Sequence, residues 1–209
     1  MRVDQGTFTR VTATFLLVRH AAHVDLDLRL SGRRDGVALS DAGRAQAERL
    51  GAALADEAIA RIVCSPLDRT VATAAAIAAA QPGLSVEPDA ALIEIDLGDW
   101  TGRALDSFGD DPAWTAWNAQ RGSARIPGGE SMAEAQRRIV SCLDTLAAAH
   151  DAETIAIVTH SDMIRAAVAH VLAMSLDDLL RFDIAPASVT RMVWGDWGAR
   201  LISLHEKVA

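Results

Sequence analysis

The sequence predicts an α/β fold, a three-layer sandwich in which helices cover both faces of a mainly parallel central sheet. Short apolar segments rich in β-branched residues alternate with helical segments along the chain, and this order is typical of parallel strands joined by crossover helices. The length of 209 residues corresponds to one domain, since domains usually contain about 100 to 200 residues. We therefore expect residues 1–209 to form a single domain.

The first half of the chain shows this alternation most simply. In order, we predict a strand at 12–18, a helix at 40–57, a strand at 62–64, a helix at 66–80, and short strands at 84–86 and 92–95. The helix at 66–80 has the strongest start signal, because Ser65 can cap it, Pro66 occupies the first helical position and Asp68 lies in the first turn.

The second half begins with an excursion from this alternation at residues 98–130, which is rich in Gly, Pro and Asp. A short helix is expected inside it at 112–120. After it we predict a helix at 131–149 opened by a capping box of Ser131 and Glu134, a central strand at 154–158, helices at 161–173 and from 175, and closing strands at 188–194 and 200–204 joined by a turn with Gly195 and Gly198.

The composition excludes several classes of function. The formal net charge is −8, whereas proteins that bind nucleic acid or anionic membranes need a broad basic surface. Cys64 and Cys142 are far apart in the sequence, which argues against a disulfide scaffold or a cysteine zinc site and favours a reduced, cytoplasmic protein. No apolar segment is long enough to span a membrane. We therefore expect neither a nucleic-acid nor a membrane partner.

Basic side chains follow three predicted strands at the point where each strand ends. Arg19 and His20 follow the first strand, Arg69 begins the helix after the second, and His160 follows the central strand. Ligands of parallel sheets bind beyond the carboxyl ends of the strands, so we expect these side chains to meet. One Arg guanidinium can donate two parallel hydrogen bonds to the oxygens of a phosphate, and an imidazole can attack phosphorus. Together they predict a phosphoryl-transfer site, although each residue alone is as compatible with a surface or loop position.

Several motifs occur in a fixed order along the chain. They are Leu17-Val18-Arg19-His20, Gly32-x-x-Asp35, Leu39-Ser40-x-x-Gly43, Gln46-Ala47, Ser65-Pro66-Leu67-x-Arg69-x-x-x-Thr73-Ala74, Glu94-x-x-x-Gly98-x-Trp100-x-Gly102, Pro127-Gly128-Gly129-Glu130-Ser131 and Val158-Thr159-His160. This ordered set resembles the histidine phosphatase superfamily, in its phosphoglycerate-mutase-like branch. The resemblance covers most of the chain.

The resemblance implies an enzyme, a phosphatase that hydrolyses a small phosphorylated metabolite with no cofactor and no metal. His20 would be the nucleophile that forms a phosphohistidine. Glu94 would protonate the leaving alkoxide and then take a proton from water; the alternative is a strand Glu that faces solvent. Arg19, Arg69 and His160 would bind the phosphoryl oxygens, with His160 as a cation. Because Glu94 must carry a proton, we expect activity to favour mildly acidic pH.

Two other functions stay open. A phosphoglycerate-type mutase fits the family, but the family's mutases use Tyr and Lys or Arg contacts to the substrate carboxylate, and this chain has no Tyr and a single Lys, Lys207. A catalytically silent phosphate-binding module is the other. Its motivation is Ala21-Ala22-His23, where the family has Gly, a polar residue and Ser or Thr, and Ala21 fits well only if its φ is negative.

Four side chains near these motifs have less certain roles. Leu26 stands where many members of the family carry a phosphate-binding Asn. His23 lacks the further ligands of a metal site, and a surface position is favoured over a contact with substrate. Trp114 and Trp117 have i,i+3 spacing and are expected to pack the excursion at 98–130 onto the sheet. We expect that excursion to cover the active site. The physiological substrate and the oligomeric state are not predicted.

Overall fold

A six-stranded sheet forms the centre of the protein. The structure, a computed structural model, describes residues 11–207. The strands are β1 (Thr12–Arg19), β2 (Ile59–Cys64), β3 (Val86–Pro88), β4 (Thr154–Thr159), β5 (Ser188–Gly195) and β6 (Gly198–Lys207), and their order in the sheet is β3-β2-β4-β1-β5-β6. The pairs among β3, β2, β4 and β1 are parallel, and the pairs β1–β5 and β5–β6 are antiparallel.

Helices cover both faces of this sheet. They are α1 (Asp41–Ala53), α2 (Asp68–Ala79), α3 (Pro112–Ala119), α4 (Met132–Ala149) and α5 (Ser161–Val171). Ala156 of β4 packs in one core with Leu50 of α1 and Ile77 of α2. The next residue, Ile157, points to the other core, which contains Ile139 of α4, because successive strand residues face opposite sides of a sheet. The predicted three-layer α/β architecture is therefore confirmed.

The parallel strands deliver their last residues to one edge of the sheet. In the registers of β1 with β4 and of β2 with β4, Arg19 lies opposite Thr159 and Cys64 lies opposite Val158. The residues that follow each strand consequently emerge side by side. The edge predicted to bind the ligand thus exists as expected.

Several predicted elements are confirmed within a few residues. The capping box before α4 is present, with Ser131 accepting from the Glu134 backbone N–H and the Glu134 carboxylate accepting from that of Ser131. The short helix α3 occupies its predicted place, and β5 and β6 form the closing antiparallel pair. Helix α5 ends at Val171, two residues earlier than predicted. Within residues 11–207, no helix combines the length and hydropathy needed to cross a membrane.

Helix α1 is shorter than the sequence predicts. It ends at Ala53 rather than near Glu57. The carbonyl of Leu54 accepts a hydrogen bond from the Gln81 side-chain amide at 2.6 Å, and the Glu57 carboxylate pairs with Arg191 at 2.7 Å. These partners lie far away in the sequence, so local propensity could not indicate where the helix stops.

Three further predictions around the sheet edge are wrong. Helix α2 begins at Asp68 rather than Pro66, and its N-cap residue is Leu67, whose apolar side chain cannot cap it. The predicted cap, Ser65, bonds through its hydroxyl to His160 instead. The strand predicted at 84–86 lies at Val86–Pro88, paired with β2. Residues 92–95 form no strand. Leu92 is the last residue of a short 3₁₀ helix, Ala90–Leu92, whose N-cap is Asp89, and an irregular segment follows it.

The excursion is held together by close backbone packing and by an aromatic cluster, and this cluster belongs to the core on one face of the sheet. Gly98 has φ of +46°, and a Cβ there would lie 2.2 Å from the Pro127 carbonyl oxygen, so only glycine fits. Trp100 is buried and meets the rings of Trp114 and Trp117 edge-on, at centroid distances of 5.4 Å and 6.2 Å. Trp117 is part of that core and Trp114 packs against it, in agreement with the packing role predicted for these two tryptophans.

Candidate active site

A cavity of about 210 Å³ opens at the carboxyl edge of the parallel strands. Its wall includes residues from the ends of β1 and from the start of α2 and α5, together with Trp114 and Trp117 of the excursion. Of the residues predicted for the site, the cavity is lined by Arg19, His20, Arg69 and Glu94. His160 is completely buried next to it. The five side chains therefore come together from four separate segments of the chain.

His20 is held in a defined tautomer immediately after β1. Its backbone N–H donates to the Thr159 carbonyl at 3.0 Å, which continues the β1–β4 ladder by one residue. The ring Nδ1 lies 2.8 Å from the Ala21 carbonyl oxygen, and a carbonyl only accepts, so Nδ1 carries the proton. Burial, followed by the nearby Arg69 charge, lowers the pKa of His20 well below 6.5. At neutral pH the ring is uncharged, and its Nε2 has an available lone pair.

Arg19 and Arg69 bring buried N–H groups with no protein partner to the cavity. Arg19 Nη1 donates to the Ile184 carbonyl at 2.6 Å, and Arg69 Nη2 donates to the Gly32 carbonyl at 2.6 Å. Among the described residues, no partner exists for the buried Nε of Arg19 or for the Nε and Nη1 of Arg69. Unpaired buried donors are costly, and the two guanidiniums give this wall of the cavity a positive charge that suits an anion. Burial lowers the pKa of both guanidiniums, and both stay charged because arginine keeps its proton in proteins.

His160 is the N-cap residue of α5 and lies between several site residues. Its Nε2 is 2.8 Å from the Ser65 hydroxyl, and its Nδ1 is 3.4 Å from Arg69 Nη2 and 3.9 Å from a Glu94 carboxyl oxygen. Its ring meets that of His20 edge-on at 5.2 Å. Burial and then the Arg69 charge lower the pKa of His160 well below 6.5. Burial first, and then the neighbouring guanidinium charge, thus disfavour the cationic form that was expected of His160 in the free site.

Glu94 is a largely buried carboxyl group that lies beside His160 in this cluster. One carboxyl oxygen accepts from the backbone N–H of Ile95 at 2.9 Å, and the side chain is 15% exposed. Burial first, and then the negative charge of Asp162, raise the pKa of Glu94 to about 7. The alternative of a strand residue facing solvent is therefore wrong. The carboxyl group can hold a proton at neutral pH and can also release it, as acid–base chemistry requires.

The residues after His20 differ from the sequence expectations in one respect. His23 is buried rather than on the surface, and its ring lies 5.2 Å from that of His20. Burial and then the Arg69 charge lower the pKa of His23 to about 4. Ala21 is fully buried and lies outside the left-handed region of φ, so replacing the family's glycine introduces no backbone strain. Leu26 contributes an apolar side chain to the cavity wall.

Comparison with known proteins assigns the family. The model of the histidine phosphatase superfamily (branch 1) matches residues 15–207. The chain belongs to this superfamily. Phosphoserine phosphatase 1 of Hydrogenobacter thermophilus is 32% identical over 186 residues, which cover 85% of this chain and 85% of that protein. Phosphoglycerate mutase-like protein 4 of Arabidopsis thaliana is 32% identical over 199 residues, which cover 88% of this chain and 85% of that protein.

A solved structure supports the same assignment. The complex of the mycobacterial glucosyl-3-phosphoglycerate phosphatase with inorganic phosphate matches this histidine phosphatase with a TM-score of 0.80 and 27% identity, covering 93% of this chain and 98% of that one. The predicted family and the predicted class of enzyme, a phosphatase of the histidine phosphatase type, are confirmed by these similarities.

Sequence reasoning missed four charged residues that line this histidine phosphatase's cavity: Asp27, Arg29, Arg121 and Asp162. Arg121, which follows α3, is buried and donates from Nη1 to Asp162 at 3.2 Å, while its guanidinium lies over the Trp117 ring. Asp162, in the first turn of α5, also pairs with Arg165. Arg121 follows Trp117 by four residues, and although it lies just beyond the end of α3, its guanidinium still reaches the Trp117 ring. That spacing was the only available signal, because the partner Asp162 lies 41 residues away.

Proposed function

We propose that this histidine phosphatase hydrolyses a small phosphorylated metabolite without a metal ion, with His20 as the nucleophile. The observation that carries the proposal is the uncharged His20 ring, which is fixed through Nδ1 and faces a cavity where Arg19 and Arg69 have unpaired N–H groups. A phosphoryl group bound to those donors would lie next to the free Nε2. Because the cavity is only about 210 Å³, a small ester fits it better than a macromolecule.

In the first step, the Nε2 lone pair of His20 attacks phosphorus. An N–P bond forms as the ester P–O bond breaks, and the proton of Glu94 passes to the departing oxygen, which leaves as an alcohol. Arg19 and Arg69 bind the phosphoryl oxygens, where the negative charge is concentrated in the transition state. We assign His160 to the same set of ligands, because its Nδ1 lies next to both Arg69 and Glu94. A bound phosphate dianion favours the protonated ring, whose Nδ1–H then donates to a phosphoryl oxygen.

In the second step, water replaces His20 on phosphorus. Glu94, now ionised, takes a proton from this water as the O–P bond forms and the N–P bond breaks. Inorganic phosphate leaves, and both His20 and Glu94 return to their starting states. A carboxyl group with a pKa of about 7 suits both directions of proton transfer near neutral pH.

The geometry favours hydrolysis over the two alternatives. The cavity wall contains neither Tyr nor Lys among the described residues, so the Tyr contact expected of a phosphoglycerate mutase is missing there, although Arg29 and Arg121 also line the wall. The silent binding module rested on the altered Ala21 segment, and Ala21 introduces no backbone strain. His20 and Glu94 line the same cavity, and the presence of both nucleophile and proton donor there supports an active enzyme.

We further propose that the enzyme forms a single domain, acts in the cytoplasm and meets its substrate under the excursion at residues 98–130. Cys64 and Cys142 are both unpaired and buried, which suits a reducing compartment. Trp114 and Trp117 of the excursion line the cavity. These side chains would exclude water from the ester while the phosphoryl group is transferred.

The decisive experiment combines turnover with trapping of the intermediate. Phosphate release from a panel of phosphorylated metabolites is measured with and without chelator, using wild type and His20→Ala. We expect chelator-insensitive turnover by wild type, a phosphohistidine in the acid-quenched, denatured enzyme, and neither with His20→Ala. Unimpaired turnover by a folded His20→Ala variant would overturn the proposal, as would full loss of wild-type activity to chelator.

A further inference from the structure

The proton donor of this site does not lie on a regular element. Glu94 follows the 3₁₀ helix Ala90–Leu92 and precedes a second one, Gly98–Trp100, so its backbone is held neither by a helix nor by the sheet ladder. A general acid must nevertheless lie within a few tenths of an ångström of its productive position. Contacts from other segments must therefore hold this loop, and the guanidinium groups of two arginines make these contacts.

Arg33 and Arg138 bind the backbone carbonyls of the Glu94 loop. Arg33 Nε donates to the Glu94 carbonyl at 2.8 Å. Arg138 Nη1 donates to the carbonyls of Ala91 at 2.9 Å and Ile93 at 2.7 Å, and its Nη2 lies 3.4 Å from the Glu94 carbonyl. Three carbonyls of an irregular segment thus obtain the hydrogen bonds that a helix or strand would otherwise supply.

Glu130 links the two guanidiniums. One of its carboxylate oxygens accepts from Arg33 Nη2 at 2.8 Å, from Arg138 Nη2 at 2.9 Å and from the backbone N–H of Asp96 at 3.0 Å. Burial acts to raise the pKa of Glu130, but the hydrogen bonds from Arg138 and Asp96 hold it below its usual value. The carboxylate is therefore ionised at neutral pH and fixes both guanidiniums against the loop.

Arg33 also connects this loop with the phosphate-binding side of the cavity. It directly follows Gly32, whose carbonyl accepts the 2.6 Å hydrogen bond of Arg69. The adjacent residues Gly32 and Arg33 therefore contact both sides of the site. The Gly32 carbonyl holds Arg69, which is proposed to bind phosphate, and the Arg33 side chain holds the backbone of Glu94, which is proposed to protonate the leaving group. Arg33 itself does not line the cavity, so it acts through Glu94 rather than on the substrate.

We infer that Arg33, fixed by Glu130, is a positioning residue that holds Glu94 at the leaving-group oxygen of the substrate. The inference rests on the proposed role of Glu94 as the general acid. Its consequence is selective: loss of Arg33 must impair substrates whose leaving group needs a proton and must spare substrates whose leaving group departs as an anion. A purely structural role for Arg33 would affect both kinds of substrate alike.

The test uses Arg33→Gln, with kcat/KM measured for an alkyl ester, glycerol 3-phosphate, and for an aryl ester, 4-nitrophenyl phosphate. We expect a loss of about 10- to 100-fold on the alkyl ester and little change on the aryl ester. Inhibition by inorganic phosphate should stay as in wild type, because Arg19 and Arg69 remain. Arg33→Lys should recover part of the alkyl-ester activity. In a Glu94→Gln background, Arg33→Gln should cause no additional loss.

A matched control separates this effect from the loss of any ion pair. Arg61 of β2 pairs with Glu87 of β3 at 2.8 Å, outside the cavity. We expect Arg61→Gln to leave kcat/KM for both esters unchanged. Equal losses on both esters with Arg33→Gln, or a further loss in the Glu94→Gln background, would overturn the inference. If Glu94→Gln itself impairs both esters equally, the proposed acid role of Glu94 fails, and that result is independent of Arg33.

Discussion

The hydroxyl oxygen of Ser65 lies 2.8 Å from Nε2 of His160, and both side chains are completely buried. On the other side of the ring, Nδ1 lies 3.4 Å from Arg69 Nη2. A guanidinium only donates, so Nδ1 of uncharged His160 accepts and its Nε2–H donates to Ser65. Ser65 therefore determines the tautomer and the orientation of the His160 ring.

We expect Ser65→Ala to weaken both folding and activity. The variant leaves a buried Nε2–H group without a partner, which costs about 1–3 kcal/mol of the free energy of unfolding. The freed ring can reorient, and we expect kcat/KM to fall on the order of 10-fold, as for the loss of one oriented group. Urea denaturation and steady-state kinetics measure the two effects.

The control for Ser65→Ala is Ser107→Ala. The Ser107 hydroxyl is exposed and donates to the Ala104 carbonyl, so its loss should change the free energy of unfolding by no more than about 0.5 kcal/mol. If Ser65→Ala behaved like this surface variant in both measurements, the orienting role of Ser65 would be wrong.

The raised pKa of Glu94 predicts how stability changes with pH. The folded protein releases this proton at a pKa of about 7, compared with 4.5 for a free glutamate. Between these values the folded state binds more protons than the unfolded state, so the contribution of Glu94 to stability falls as pH rises from about 4.5 to 7. For a side chain that is 15% exposed, the loss amounts to about 3 kcal/mol.

Glu94→Gln should remove this loss. We expect the variant to be more stable than wild type at pH 8, by up to about 3 kcal/mol, and to match it near pH 4, where Glu94 is protonated. Guanidinium chloride denaturation at several pH values measures the difference. Glu48→Gln, at an exposed position, should show no such pH-dependent gain. A constant difference at every pH would contradict the predicted ionisation.

The arrangement of the site could be predicted from the sequence because it depends on topology. Once β1, β2 and β4 are parallel neighbours, the residues after them must share one edge, which brings His20, Ser65 and His160 together without any knowledge of their contacts. The periodic segments also indicate the helices on both faces, because burial of an amphipathic face is a local pattern.

The partners of individual polar groups could not be predicted in the same way. Ser65 has the residue type and spacing of a helix cap, yet its hydroxyl bonds to His160, which is 95 residues away. Leu92 to Ile95 is as apolar as a strand, yet the loop is held by Arg138, and the Leu92 carbonyl accepts from the Thr159 hydroxyl at 2.7 Å. In both cases a tertiary hydrogen bond outweighs a local preference of less than about 1 kcal/mol.

Gly43 is required by the close approach of α1 to the segment after His20. A Cβ at Gly43 would lie 1.8 Å from the carbonyl oxygen of Ala22, and that carbonyl also accepts the backbone N–H of Ser40 at 3.0 Å. We expect Gly43→Ala to push Ala22 away, to cost about 1–3 kcal/mol of stability as overpacking does, and to lower kcat/KM through displacement of His20. Thermal unfolding and kinetics measure the two effects.

Gly36→Ala provides the contrast to Gly43→Ala. Gly36 has φ of +70° with open space around its Cβ position, so alanine there costs backbone strain of about 1 kcal/mol without a clash. We expect a stability loss with kcat/KM close to that of wild type. A Gly43→Ala enzyme with wild-type kcat/KM would show that the Ala22 segment does not control the position of His20.

The pH dependence of activity should follow from the two groups that exchange protons in the proposed reaction. Glu94 must be protonated to donate, so kcat/KM for an alkyl phosphate should fall as pH rises through about 7. His20 must be unprotonated to attack, and its pKa lies well below 6.5, so the acid limb should begin only below that value. The rate is therefore expected to be highest in the mildly acidic range between the two limbs.

The Glu94→Gln variant shows which limb of the pH profile of kcat/KM is due to ionisation of the Glu94 carboxyl group. The second ionisation of the substrate phosphate, near pH 6, affects wild type and variant equally, so the ratio of their kcat/KM values isolates the enzyme. We expect the wild-type advantage to be greatest at acidic pH and to decrease tenfold per pH unit above about 7, because each unit removes nine-tenths of the protonated Glu94. A ratio that stays constant from pH 5 to 9 would exclude Glu94 as the proton donor, whereas a ratio that bends near pH 7 would assign it that role.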